Sequence, residues 1–115
     1  MKGLRILLVD DEPLMRLSMV DALEAVGHDI EAAASGTEGI DAIRQRPFDL
    51  VITDLRLPGA DGLAVRAAAK ERLPHTEVVM ITAHGSVETA VGAMKLGALD
   101  YITKPFRMEE LYARD

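Results

Sequence analysis

Short runs of apolar residues alternate along this chain with longer segments in which apolar residues recur every three or four positions. The short runs are typical of strands buried on both faces, as in a parallel sheet, and the longer segments predict amphipathic helices. Five strands are predicted, at Leu4–Val9, His28–Ala33, Asp49–Asp54, Glu77–Thr82 and Leu99–Thr103. One helix follows each of them.

Proline, glycine and capping residues mark the ends of these helices. The first helix is predicted from Pro13 to about Val26, because proline suits a first helical turn and Gly27 suits a stop. Its buried stripe at helical spacing comprises Met15, Met19, Ala22, Leu23 and Val26. The later helices are predicted between Ser35 and Pro47, where Ser35 to Glu38 has the form of a capping box, from about Leu63 to Arg72, between Ser86 and Gly97, and from Arg107 to Asp115.

Strands that alternate with single helices require right-handed crossovers, which place helices on both faces of a parallel sheet. The 115 residues contain no internal repeat or linker and fit one domain, residues 1–115. A closed eight-stranded barrel would need about twice this length. We therefore predict an α/β fold with an open, doubly wound sheet.

Composition excludes several classes of function. The net charge of −6, with no basic stripe, argues against direct binding of nucleic acid. Aromatic residues make up only 3%, so platforms for stacking bases or flavin rings are scarce. There is no cysteine for a disulfide or a thiolate metal site, and the first apolar run is too short for a signal peptide or a membrane span. We expect a cytoplasmic protein that is not bound to a membrane.

Residues with phosphate or metal chemistry end or follow four of the predicted strands: Asp10 and Asp11, Asp54, Thr82, and Lys104. In an open doubly wound sheet, ligands bind outside the carboxyl ends of the strands. These side chains are therefore expected to converge although they are far apart in the chain.

The predicted cluster favours a hard divalent cation. Asp10, Asp11 and Asp54 would repel one another if brought together, and Mg²⁺ with oxygen ligands and retained waters compensates such a group. Zn²⁺ prefers nitrogen or sulfur, and the three histidines show no ligand spacing. With the cation bound, an oxygen of Asp54 can attack a phosphoryl group, Lys104 can neutralise the transferred oxygens, and Thr82 can donate a hydrogen bond to them. The product would be an aspartyl phosphate.

These residues together resemble the receiver domain of bacterial response regulators. The resemblance covers essentially the whole chain and rests on Asp10-Asp11, Asp54 with Pro58-Gly59 and Asp61-Gly62, Thr82-Ala83, and Lys104-Pro105-Phe106. Two further strings, Thr82 to Gly85 and Gly97 to Tyr101, are similar to receivers of the nitrogen-regulator class of transcriptional activators. The family implies a flavodoxin-like (βα)5 sheet with strand order 2-1-3-4-5, beside which the final helix of this chain looks short or truncated.

The resemblance also implies a role for each site residue. Asp54 is the phosphoacceptor, and Lys104 and Thr82 contact the phosphoryl group. Asp11 binds Mg²⁺ directly, Asp10 binds it through water, and the backbone carbonyl of Arg56 completes the metal shell. We leave Glu12 outside this shell, because a carboxylate in the first turn of a helix is already explained by the helix dipole.

In such a family the chain is not an enzyme beyond Mg²⁺-dependent self-phosphorylation and slow self-dephosphorylation. The implied partners are a sensor histidine kinase, recognised near Leu14, Arg16 and Leu17, and an output domain for transcription, DNA-binding or ATPase, that this sequence does not contain. Phosphorylation would change the surface around the fourth helix and fifth strand and could drive homodimerisation. Tyr101 is either a core aromatic residue or a side chain whose exposure changes with Thr82.

Three other functions stay open on the residues. A flavin mononucleotide module of the same fold would need a Ser/Thr-rich loop after the first strand, where this chain has Asp10-Asp11-Glu12. An aspartyl phosphatase would need an Asp-x-Asp pattern, but the residue two after Asp54 is Arg56. A passive interaction module with this fold would not need Asp54, Lys104 and Thr82 together.

Overall fold

A single parallel sheet runs through the computed structural model, which describes residues 3–82 and 100–103. Within these residues the elements are β1 (Arg5–Val9), α1 (Pro13–Ala25), β2 (Asp29–Ala33), α2 (Gly36–Gln45), β3 (Leu50–Asp54), α3 (Gly62–Arg72), β4 (Glu77–Thr82) and β5 (Asp100–Thr103). The strands lie in the order β2-β1-β3-β4-β5, and every neighbouring pair is parallel. The predicted flavodoxin-like sheet is confirmed.

The predicted ends of the elements differ from the observed ones by about one residue. Four strands begin one residue later than predicted, and α3 begins one residue earlier, at Gly62. The predicted fourth helix and the short final helix lie outside the described residues. None of the helices in the described part of the chain is long and apolar enough to cross a membrane.

Alternate residues of the strands divide the core between the two faces of the sheet. In β1, Ile6 and Leu8 face α1, where they pack with Met19 and Leu23. Leu7 and Val9 of β1 pack with α2 and α3 in a second cluster. Because side chains alternate across a strand, one fully buried run serves both layers, which explains why the strands read as continuous apolar runs.

The end of α1 corrects one prediction about its buried stripe. The helix ends at Ala25, Val26 is its C-cap, and Val26 is 54% exposed rather than buried. Gly27 adopts a positive φ of 96°, and the N–H groups of Gly27 and His28 bond to carbonyls of the last turn, at 3.0 and 3.2 Å. The helix therefore ends before Val26, and the turn at Gly27 leads the chain away from the core-facing side of the helix.

His28 has a structural role at the start of β2. Its side chain is buried, and its Nδ1 accepts a hydrogen bond of 3.0 Å from the backbone N–H of Leu4. The ring therefore links the residue before β1 to the residue before β2.

Ser35 caps α2 as the sequence predicts, by accepting a hydrogen bond of 3.1 Å from the N–H of Glu38. Glu38 in turn accepts from the N–H of Ala34, at 2.8 Å, rather than from that of Ser35. Both bonds satisfy backbone donors that the helix itself leaves without partners. They hold the start of α2 in place beside the carboxyl ends of the strands.

Candidate functional site

Two aspartates meet at the carboxyl ends of neighbouring central strands. The register pairs Val9 of β1 with Thr53 of β3, so Asp10 and Asp54, the next residue in each strand direction, come side by side. Their side chains are only 1% and 4% exposed. The order of the strands thus brings together two carboxyl groups that are separated by most of the first half of the chain.

The carboxylate of Glu12 completes a group of three. Ligand oxygens of Asp10, Glu12 and Asp54 all lie within 4.8 Å of one another, and among the described residues no other acidic or histidine group is arranged in this way. Asp11 is exposed and does not belong to the group. The structure therefore brings together two of the three predicted carboxylates and adds one that the sequence analysis had left out.

The position of Glu12 follows from the start of α1. Glu12 is the N-cap residue of α1, and its side chain makes no capping hydrogen bond to the helix. Instead the backbone N–H of Glu12 donates to Asp10 Oδ1 at 2.9 Å. This turn directs the chain from β1 into α1 and sets Glu12 beside Asp10. The spacing Asp10-x-Glu12 before a helix-starting proline was the signal that the sequence offered for it.

Arg16 fixes the same turn from the helix side. Its guanidinium donates from Nη1 to the backbone carbonyl of Asp10 at 2.8 Å. The bond joins the first turns of α1 to the end of β1. Sequence analysis had considered Arg16 only as a surface residue.

The loop after β3 surrounds the other side of Asp54. The N–H of Arg56 donates to Asp54 Oδ1 at 3.2 Å, and the N–H of Gly62 donates to the carbonyl of Leu55 at 2.9 Å. The Arg56 side chain is exposed. Asp61 caps α3 through Ala64 N–H at 2.9 Å, so the loop ends in a fixed helix start.

Of the two remaining predicted residues, Thr82 belongs to the next strand along the sheet. Ile81 pairs with Asp54, which makes Thr82 the last residue of β4 at the same edge, and Thr82 pairs with Thr103 at the end of β5. Lys104 lies outside the described residues. The backbone register is thus consistent with the predicted convergence, and the contacts of the Thr82 hydroxyl and the Lys104 amine stay predictions.

The donor set at this edge suits a hard cation. Mg²⁺ takes oxygen ligands at about 2.0–2.1 Å, so oxygens on opposite sides of the ion are about 4.2 Å apart. The three carboxylates are already within 4.8 Å of one another and need only small movements to reach such a geometry. Because the three side chains carry the same sign of charge and two of them are buried, a cation at this position would also offset their repulsion.

Comparisons with known proteins agree with this geometry. The family model described as "Response regulator receiver domain" matches residues 6–114. The transcriptional regulatory protein TcrA of Mycobacterium tuberculosis is 40% identical over 112 residues, which is 97% of this chain and 44% of TcrA. The DNA-binding transcriptional regulator NtrC of Klebsiella pneumoniae is 38% identical over 106 residues, 92% of this chain and 23% of NtrC. The chain spans less than half the length of these relatives.

Solved structures show the same similarity. NtrX from Brucella abortus superposes with a TM-score of 0.86 at 39% identity, over 96% of this chain and 25% of NtrX. A response regulator from Burkholderia pseudomallei, solved with a phosphorylated aspartic acid, a calcium ion and citrate, superposes with a TM-score of 0.89 at 27% identity, over 96% of this chain and 65% of that one. The predicted resemblance, including similarity to the nitrogen-regulator class, is confirmed.

Proposed function

Because this chain belongs to the response regulator receiver domain family, we propose that Asp54 accepts a phosphoryl group from a sensor histidine kinase in a Mg²⁺-dependent reaction. The observation that carries the proposal is the group formed by Asp10, Glu12 and Asp54, in which the proposed nucleophile is buried beside carboxylates that suit a divalent cation. The aspartyl phosphate and metal of the Burkholderia pseudomallei relative support the same chemistry here.

In the proposed reaction, an oxygen of Asp54 forms a bond to phosphorus while the bond from phosphorus to the donor imidazole nitrogen breaks. The electron pair stays on the imidazole, which then takes a proton. A bound Mg²⁺ would neutralise charge on the phosphoryl oxygens. Arg56 N–H donates a hydrogen bond to Asp54 Oδ1 and so orients the carboxylate for the attack. Thr82, at the end of β4, would donate its hydroxyl to the transferred group, and Lys104 would donate its ammonium.

The same proposal includes the partners. Leu14 and Leu17 are 81% and 62% exposed on the first turns of α1, directly after the carboxylate group. Apolar side chains so exposed beside a reaction site favour a protein contact, and we assign them to the histidine kinase. The related transcriptional regulators are more than twice as long as this chain, so we propose that the domain controls a transcriptional output domain. Phosphorylation would act on it through the surface around the fourth helix and β5, because a modification signals only by shifting two conformations.

A pair of matched variants on β3 tests the phosphoryl transfer. Asp54 ends β3, whereas Asp49 precedes it and accepts a hydrogen bond of 2.9 Å from the N–H of Arg5. After incubation with Mg²⁺ and a small acyl phosphate, we expect one phosphoryl mass addition in the wild type and in Asp49→Asn, and none in Asp54→Asn. Intact mass spectrometry measures the addition.

Other outcomes of that experiment identify the alternatives. A folded wild type that gains no phosphoryl group contradicts the proposal and favours a passive interaction module. Rapid turnover of many equivalents of acyl phosphate favours a phosphatase. If Asp49→Asn also gains no phosphoryl group, the loss in Asp54→Asn reflects a disturbed fold and does not identify Asp54 as the phosphoacceptor.

A second pair of variants identifies the third carboxylate ligand, for which Asp11 and Glu12 compete. Asp11 is exposed and can change rotamer without disturbing the core, and its short side chain loses less rotamer entropy on binding than that of Glu12. We expect Asp11→Asn to weaken Mg²⁺ binding about tenfold and Glu12→Gln to weaken it less. Isothermal titration calorimetry decides between them, because a larger effect of Glu12→Gln would make the observed group the ligand set.

A further inference from the structure

The start of α2 touches the loop after β3, although neither belongs to the carboxylate group. We call residues Leu55 to Asp61 the β3–α3 loop. The N–H of Gly36, the first residue of α2, donates to the carbonyl of Pro58 at 3.3 Å. A Cβ atom placed on Gly36 would lie 1.6 Å from the carbonyl oxygen of Ala60 and 2.5 Å from its carbon. The two backbones are therefore in direct contact, and any side chain at position 36 would have to displace one of them.

A second contact joins the same two segments. Gly59 has a positive φ of 75°, and a Cβ placed on it would lie 2.5 Å from the Oγ1 atom of Thr37. The first two residues of α2 thus define where the middle of the β3–α3 loop can lie. Both contacts require glycine, once in the helix and once in the loop.

Of the two segments, α2 is the one that is held in place and cannot move away from the contact. Ser35 and Glu38 cap its first turn, and a Cβ on Gly39 would already lie 2.8 Å from the side chain of Val9, so the helix packs closely onto β1. The loop is held more weakly, since Pro58 and Gly59 are exposed. A side chain at position 36 would consequently push the loop away from α2.

We propose that Gly36 is a positioning residue for the metal and phosphoryl site, an inference that rests on the function proposed above. The β3–α3 loop carries Arg56, whose N–H orients the Asp54 carboxylate and whose carbonyl is a predicted metal ligand. Close approach of α2, permitted by Gly36, sets the position of this peptide. Displacing the loop draws the Arg56 backbone away from Asp54 and weakens Mg²⁺ binding while the strands and their core remain in place.

The variant Gly36→Ala tests this role, and Ile43→Ala is its control. Ile43 is buried farther along the same helix, so its truncation lowers stability while the backbone contacts of Gly36 with the loop stay in place. We expect Gly36→Ala to bind Mg²⁺ at least about tenfold more weakly than the wild type, as for loss of an outer-shell partner of a metal ligand. Ile43→Ala should bind Mg²⁺ as the wild type does. Calorimetric titration measures the affinity, and urea unfolding confirms that each variant is folded.

A second pair of variants decides the question even where Gly36→Ala does not fold. Gly59→Ala introduces both backbone strain and a clash with Thr37, whereas the double variant Gly59→Ala/Thr37→Ala retains the strain and removes the clash. If contact with α2 positions the loop, the double variant should regain part of the Mg²⁺ affinity lost in Gly59→Ala. A double variant that binds no better than Gly59→Ala contradicts the inference.

Different results would overturn the proposed function and the role of Gly36. A wild-type chain that takes up neither Mg²⁺ nor a phosphoryl group overturns the proposed function and the role of Gly36 with it. A wild type that does both, beside a Gly36→Ala variant whose affinity equals that of Ile43→Ala, overturns only the role of Gly36.

Discussion

The two ends of the sheet treat charge in opposite ways. At the amino end, opposite charges and polar groups have partners. The backbone N–H of Arg5 donates to Asp49, and the Arg5 guanidinium lies 4.0 Å from Asp29. The same guanidinium lies 5.9 Å from the centre of the Phe48 ring, and Thr76 donates to the carbonyl of Phe48 at 2.8 Å. At the carboxyl end, three carboxylates gather within 4.8 Å. Like charges held together repel one another, so such a group is a candidate site for a cation.

The edge strand β2 carries a further example of matched charge. The guanidinium of Arg46 forms two hydrogen bonds to the carboxylate of Glu31. This hydrogen bonding lowers the pKa of Glu31 below its ordinary value, and it raises the pKa of Arg46. The pair is partly exposed, at 37% and 33% of the side-chain surface, so it contributes little to stability. It differs from the carboxylate group in that it combines opposite charges, whereas the carboxylate group combines like charges.

The largest difference between the two ends is expected on addition of Mg²⁺. At a free concentration of 100 times the dissociation constant, binding should raise the free energy of unfolding of the wild type by about 2.7 kcal/mol. The same rise is expected in Asp49→Asn at the amino end. A much smaller rise is expected in Asp54→Asn, when its free energy of unfolding with Mg²⁺ is compared with its own value without Mg²⁺. Urea unfolding with and without Mg²⁺ measures the effect. Equal stabilisation of all three proteins would place the ion away from the carboxylate group.

A smaller effect is expected from one substitution made at each end. Thr76 and Thr53 are both buried and both donate their hydroxyl to a backbone carbonyl, that of Phe48 and that of Asp54. Replacing either by valine leaves a carbonyl without that donor and should cost about 1–2 kcal/mol of stability. Only Thr53→Val should also slow phosphorylation, because only its bond orients the peptide of Asp54.

Urea unfolding and the rate of phosphoryl mass addition separate the two consequences of these substitutions. A Thr76→Val variant that loses phosphorylation as strongly as Thr53→Val would show that the reaction depends on general stability. The division between the two ends of the sheet would then be wrong.

The smallest effect concerns pH and the Glu31–Arg46 pair. Because the pKa of Glu31 is lowered in the folded state, its contribution to stability is fully present above the unfolded value of 4.5 and is lost as the pH falls through the folded value. We therefore expect Glu31→Gln to be slightly less stable than the wild type at pH 7, with a difference that shrinks in acid below pH 4.5. Urea unfolding at pH 7 and below pH 4.5, in the absence of Mg²⁺, measures the difference in stability between the variant and the wild type. A difference that grows in acid would contradict the sign of the shift.

Most of the fold could be predicted because its signals are local. Apolar runs identified β1, β3 and β4, and Pro13, Gly27 and Ser35 identified helix ends to within about one residue. The error at Val26 arose because helical spacing does not show where a glycine turn takes the chain off the helix axis. The positions of Asp10 and Asp54 could also be predicted, since strand ends of a parallel sheet share an edge.

What the sequence by itself determined is therefore the order of the elements, the buried runs, and the edge at which acidic side chains collect. A local turn sets Glu12 beside Asp10, and tertiary structure decided that both meet Asp54. The turn after β1 places Glu12 rather than Asp11 beside Asp10 and Asp54, and the contact of Gly36 with Ala60 positions the β3–α3 loop. Periodicity reports which face of an element is buried, whereas distances of a few ångströms between separate elements depend on how backbones pack, which no local pattern encodes.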